Sequence, residues 1–207
     1  MVLPIHAVFV RPASPRLARV FDASLIAGFS LLIALSAQAT VYLPFTPVPV
    51  TLQTFAILLA GCLLGSGRGA LAATAYVAEG CAGLPFFSGG TAGIAHLFGP
   101  TGGYLVGCVA AAYLAGLLSE RKLIFKPAGV LLTLCAADLA VYIPGLAWLG
   151  VYIGAAKAVA LGFLPFVVAD ALKIVAAWCL LLIASRVASR IRAARPELVE
   201  EGENQQL

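Results

Sequence analysis

The sequence predicts an all-α integral membrane protein, a bundle of six transmembrane helices with both termini on the cytoplasmic side. Three observations carry this expectation. Of the 207 residues, 62% are apolar and only 11% charged, well under half the roughly 25% charge of a soluble domain. The apolar residues fall into six segments separated by proline, glycine or charge. Six spans of about 20 residues would use roughly 120 positions and leave no room for a sizeable soluble domain. Positive charge also alternates from one connection to the next, as the positive-inside rule requires.

Residues 1–21 read as a cytoplasmic arm. The apolar stretch from Leu3 to Val10 is short, lacks a preceding basic region and runs into Arg11, Pro12 and Pro15, unlike a cleaved signal peptide. A single membrane domain is expected over 22–187, with spans at about 23–39, 52–64, 69–82, 104–118, 129–143 and 166–184. The second and third are short and call for a tilted or locally thinned site. Residues 188–207 form a basic, then acidic tail whose Glu197, Glu200, Glu201 and Glu203 suit a disordered segment.

Arg11, Arg16 and Arg19 precede the first span, and Arg68 separates the second from the third. Arg121, Lys122 and Lys126 join the fourth to the fifth, and Arg186, Arg190, Arg192 and Arg195 follow the sixth. Eleven of the thirteen basic residues thus lie on one side. The opposite loops, 42–50, 83–103 and 144–165, contain only Lys157. This asymmetry accounts for the net charge of +4 without nucleic acid. The outer loops are long and rich in proline, glycine and aromatic residues, which suits either folding back into a cavity or sealing the bundle.

Ionisable groups at membrane depth cost about 2.5–3.5 kcal/mol each and need partners or a function. Asp170 and Lys173 would lie about 7 and 12 Å below Pro165 at roughly 1.5 Å per residue, on one helix face. Asp138, on a helix running the other way, would lie at similar depth and is more readily read as structural. A carboxylate accepts N–H bonds and an ammonium donates, so Asp170 and Lys173 could grip a ligand offering both kinds of partner. Their mutual neutralisation is the simpler alternative, and it leaves one carboxylate over.

Three loop motifs add candidates. Pro44, Pro47 and Pro49 stiffen the first outer loop and bring Thr51 and Gln53 to the mouth of the second helix. The second loop carries Gly83-Leu84-Pro85-Phe86-Phe87-Ser88-Gly89-Gly90 and Gly99-Pro100-Thr101-Gly102-Gly103-Tyr104, whose glycines permit close approach to a ligand or a neighbouring helix. The third offers Ile143-Pro144-Gly145, Trp148 and Tyr152, aromatic surface for a ligand or for the membrane interface. Ala23, Ala27, Ser30 and Ala34 form a small-residue stripe along the first helix. The five cysteines form no C-x-x-C pair and read as packing residues. His6 and His96 lack nearby companion ligands, and no H-E-x-x-H, G-x-S-x-G or P-loop occurs. Any ATP must be bound by another subunit.

The string Pro47-Val48-Pro49-Val50-Thr51-Leu52-Gln53-Thr54, then Leu58-Leu59-Ala60-Gly61, the two glycine motifs, Ile143-Pro144-Gly145 and Asp170-x-x-Lys173 occur in order over about residues 22–185. In this the chain resembles the BioY family, the biotin-binding S components of energy-coupling factor transporters. The resemblance implies a six-helix fold in a prokaryotic plasma membrane and capture of biotin from outside. It also implies coupling to a transmembrane T component with paired ABC-type ATPases, and no metal or cofactor on this chain. It maps biotin binding onto Asp170 and Lys173, with Thr51 and Gln53 closing from the first loop and Tyr104, Trp148 and Tyr152 as further substrate-binding candidates. Ala23 and Ala27 would contact the T component.

Glu79 stands where the family pattern suggests an apolar residue, and is expected to face loop water or pair with Lys157. Other readings are an S component for another vitamin, a self-sufficient proton-coupled carrier, or a membrane enzyme using Asp138, Asp170 and Lys173. Neither inverted repeats nor a base–nucleophile constellation is evident to favour the last two. A homo-oligomer is compatible with the pattern.

Overall fold

The computed structural model describes residues 14–121 and 126–194, the last four by backbone alone. Most of the N-terminal arm, including His6 and Arg11, lies outside the described residues, as do Lys122 and the tail from Arg195 with its four glutamates.

Seven helices occur among the described residues: α1 (Pro15–Gln38), α2 (Gln53–Leu64), α3 (Ser66–Cys81), α4 (Gly102–Ser119), α5 (Pro127–Ile153), α6 (Ala155–Gly162) and α7 (Val167–Ala194). Proline opens α1 and α5, where its fixed φ suits the first turn and its missing N–H costs nothing. Two short antiparallel strands, β1 (Thr40–Val41) and β2 (Val50–Thr51), pair Thr40 with Thr51 and Val41 with Val50, closing the loop between α1 and α2 at its base. Between α3 and α4 the chain makes two 3₁₀ turns, Ser88–Gly90 and Ile94–His96.

α1, α4, α5 and α7 are long and apolar enough to cross a bilayer. At 1.5 Å per residue α2 spans roughly 18 Å and α3 roughly 24 Å, short of the ~30 Å hydrocarbon core, as the sequence suggests for its second and third segments. The described residues form seven helices where six spans were expected, the additional one being the eight-residue α6. The stretch read as an outer loop, 144–165, is largely helical: α5 continues through Pro144 to Ile153, and Gly154 then separates it from α6. Pro144 removes one amide from the α5 ladder. Inside a bundle, neighbouring helices make such an interruption tolerable. Here α4 packs directly on it, for a Cβ at Gly103 would lie 2.3 Å from the Pro144 carbonyl oxygen.

α4 packs on α2, α3 and α5. One core cluster joins α1 to α5 through Ile33, Ile57, Tyr76, Phe87, Ala111 and Val141. Another joins α2, α4, α5 and α7 through Leu58, Cys62, Ala115, Leu134 and Leu181. The distribution of polarity is that of a protein solvated by lipid. Leu35, Leu132, Ile143 and Leu172 are exposed, while Ser30, Thr133, Asp138, Asp170 and Lys173 are buried.

Candidate functional site

A pocket of about 710 Å³, counting the solvent space at its mouth, lies between the helices. Val48, Thr51, Gln53 and Thr54 line it from the first loop and the start of α2. Tyr76 comes from α3, and Phe87, Ser88, His96 and Thr101 from the segment before α4. Tyr104, Leu105 and Cys108 of α4, Val141 and Tyr142 of α5, and Phe166, Asp170 and Lys173 complete the wall.

The strongest electrostatic feature is at the start of α7. Lys173 Nζ lies 2.9 Å from Asp170 Oδ1 and donates to Thr54 Oγ1 at 3.1 Å. Asp170 Oδ2 accepts a hydrogen bond from the Tyr142 hydroxyl. Both members of the pair are more than nine-tenths buried. Their i, i+3 spacing puts them on one face, and α2 and α5 supply the hydroxyls that complete the solvation each charge lost. Two of the three ammonium hydrogens are committed in this way. Tyr142 is in turn held by aromatic neighbours, edge-on to Phe163 at 4.8 Å and to Tyr104 at 6.2 Å. Tyr104 donates to the Gly162 carbonyl at 2.9 Å, tying α4 to the end of α6. Gln53 Nε2 donates to Cys108 Sγ at 3.4 Å, and the Gln53 amide N–H donates to Thr51 Oγ1.

Of the residues singled out by sequence, Asp170, Lys173, Thr51, Gln53 and Tyr104 therefore meet in one pocket. Trp148 and Tyr152 do not line it. Trp148 Nε1 donates to the Gly99 carbonyl at 2.9 Å and the Tyr152 hydroxyl to that of Phe98, so these rings hold the backbone of Phe98 and Gly99 against α5. Trp148→Phe should cost about 1 kcal/mol, a fall of about 2–4 °C in Tm for a chain of this size, measured by thermal unfolding of the purified protein. An unchanged Tm would deny the bond a role.

Asp138 is buried on α5, near enough to Asp170 and Lys173 to feel both charges, but is not part of the pocket lining. Glu79 is not paired with Lys157. It accepts a hydrogen bond from Ser30 Oγ of α1, because Ser30 lies on the buried side of that helix facing α3. The small-residue stripe thus divides: Ser30 and Ala34 are buried in the bundle, while Ala23 and Ala27 are exposed.

Tyr142, Thr54, Tyr76 and Phe87 enter the site without having been singled out. For Tyr142 one signal existed, its place one turn after Asp138 on the same helix face. The profile of the BioY family matches residues 12–190. The chain belongs to the BioY family. Among its relatives, the probable biotin transporter BioY of Pyrococcus horikoshii is 40% identical over 152 residues, covering 73% of this chain and 88% of that one. The biotin transporter BioY of Thermotoga maritima is 40% identical over 150 residues, covering 72% and 86%. Both are named as transporters, and the family is one of transporters rather than enzymes. A solved structure, the S component for biotin from an ECF-type ABC transporter, superposes with a TM-score of 0.66 over 84% of this BioY-family chain and 92% of its own. At 24% identity that likeness is one of fold.

Proposed function

We propose that this chain is the biotin-binding subunit of a vitamin uptake transporter, capturing biotin in the pocket built around Asp170 and Lys173. The observation that carries this reading is a buried acceptor–donor pair lining a pocket between the helices, in a chain of the BioY family. Biotin's ureido group offers two N–H donors and one carbonyl acceptor on a rigid bicycle. Asp170 accepts a ureido N–H, and the remaining hydrogen of the Lys173 ammonium reaches the ureido carbonyl. Thr51 and Gln53 close over the ligand from the first loop, and Tyr104 supports the apolar ring. Trp148 and Tyr152 serve binding indirectly, by holding the loop that walls the pocket.

In this reading the chain sits in the prokaryotic plasma membrane. Both termini are cytoplasmic, as its basic connections favour, and α6 lies at the outer face. The chain carries no nucleotide motif and needs no cofactor. Work is supplied by a transmembrane T component with ABC-type ATPases, which contacts the exposed Ala23 and Ala27 of α1.

Equilibrium binding of biotin, thiamine and riboflavin to the detergent-purified chain tests the assignment. Stoichiometric retention of biotin, unchanged on recovery and in preference to the other two, is expected. Preference for another vitamin would overturn the specificity and leave the fold standing. Chemical conversion of biotin would overturn the transport reading.

A further inference from the structure

Tyr76 enters the pocket from α3, and among the described residues its hydroxyl is the only buried side-chain oxygen or nitrogen without a hydrogen-bond partner. The residue is fully buried, with its ring edge-on to Phe87 at 5.8 Å. A donor left unmade in such a place is costly, and the packing of the ring does not call for it, because phenylalanine would fill the same space. The hydroxyl is therefore a donor on a pocket-lining residue whose acceptor the described residues of the ligand-free chain do not supply.

The lining around it differs in kind from the Asp170 end. Phe87 lies 5.4 Å from the ring of His96, and Ser88 and Thr101 belong to the same stretch of chain. Tyr76, Ser88, His96 and Thr101 can all donate hydrogen bonds, and none is anionic. Glu79, one turn along α3, is engaged with Ser30 and does not line the pocket. The Asp170 end presents both an anionic acceptor and a cationic donor. Tyr76 and Phe87 belong to one packing cluster and Tyr142 and Phe166 to another, with Tyr104 packed against both. A pocket with a mixed pole and a donor pole fits a ligand with one mixed and one acceptor-only group. Biotin has this form, its ureido group at one end and the carboxylate of its valerate tail at the other.

We propose that the Tyr76 hydroxyl donates a hydrogen bond to the tail carboxylate of biotin, making Tyr76 a specificity-determining residue of the site. This rests on the biotin reading above. The test compares wild type and Tyr76→Phe, as purified full-length chains, for equilibrium binding of biotin and of biotinol, in which a primary alcohol replaces the carboxylate.

Wild type should prefer biotin. Tyr76→Phe should weaken biotin by about tenfold to a hundredfold, as expected for a bond to a charged group, and biotinol by less than about threefold. The ligand-free Tm should be unchanged or raised, since an unsatisfied buried group has been removed. Equal losses for the two ligands, wild-type affinity in the variant, or a fall in ligand-free Tm marking a structural hydroxyl would each overturn the assignment while leaving biotin capture intact. A wild-type chain that retains no biotin would overturn both.

Discussion

Replacing Lys173 by alanine should lower biotin affinity by at least a hundredfold, about 2.8 kcal/mol at 1.4 kcal/mol per tenfold. The ammonium is held at 2.9 Å from Asp170 and 3.1 Å from Thr54 in a pair more than nine-tenths buried. Its loss removes one donor to the ligand and leaves Asp170 with a hydroxyl from Tyr142 as its remaining side-chain partner in this pair's network. Breaking a buried pair by removing one partner typically costs about 3–5 kcal/mol, so Lys173→Ala confounds lost binding with lost stability. The neutral double variant Asp170→Asn, Lys173→Met separates the two. It removes both charges, preserves volume, and should recover most of the Tm lost in Lys173→Ala, because replacing both members of a buried pair is often close to neutral. Its biotin affinity should stay depressed by a hundredfold or more. Isothermal titration and thermal unfolding of the three proteins decide the matter. Should the double variant bind biotin as wild type does, the pair is structural and the ligand is held elsewhere.

This pair was legible in the sequence because charge is scarce: in a chain with 11% charged residues, an aspartate and a lysine three positions apart in an apolar run stand out. Thr51 and Gln53 were legible for a related reason, as polar residues where a proline-stiffened loop enters a helix. Tyr76 was not, and Tyr142 only through its place one turn after Asp138. An aromatic residue within an apolar helix has the same sequence context whether it faces the core, the lipid or a ligand, and only three-dimensional packing tells which. The Trp148 and Tyr152 assignment met the same difficulty. Their aromatic character was visible, but their polar atoms turned out to engage the backbone of Phe98 and Gly99.

In the fold, hydropathy located α1, α4, α5 and α7 because lipid-facing positions such as Leu132 and Leu172 are apolar in addition to the core. It misplaced the end of α5, since Pro144 and Gly145 together read as a breaker when the chain is considered alone. The close seat of α4 on that stretch, through Gly103 and through Tyr104 against Gly145, exists only in the assembled bundle.

Gly116→Val should unseat the crossing of α2, α3 and α4 and lower Tm by about 10 °C or prevent folding. A Cβ at Gly116 would lie 2.3 Å from the Ser66 nitrogen and 2.4 Å from the Gly65 carbonyl carbon. Gly61 meets α4 from the other side, where a Cβ would lie 2.4 Å from the Ala112 oxygen, and Gly69 would place one 2.8 Å from the Gly61 Cα. Three helices thus meet largely backbone to backbone, and most of the obstructing atoms cannot swing aside as the end of a long side chain could. Gly65, with φ of +84°, makes the turn between α2 and α3 and fixes the hairpin against Gly116. Overpacking in a core typically costs about 1–3 kcal/mol, and more when backbone must move. At roughly 2–4 °C per kcal/mol for a chain of this size, about 10 °C follows from the upper end. Gly67→Ala on α3 is the matched control. Nothing lies within 4 Å of its Cβ position, and alanine is favoured over glycine in a helix by about 0.5–1 kcal/mol. Its Tm should therefore hold or rise. The same crossing sets where α2 delivers Gln53 and Thr54 and where α3 delivers Tyr76. Any folded Gly116→Val protein should consequently bind biotin more weakly than wild type even after correction for its folded fraction. Equal Tm values for Gly116→Val and Gly67→Ala would show that the crossing yields where its backbone geometry says it cannot.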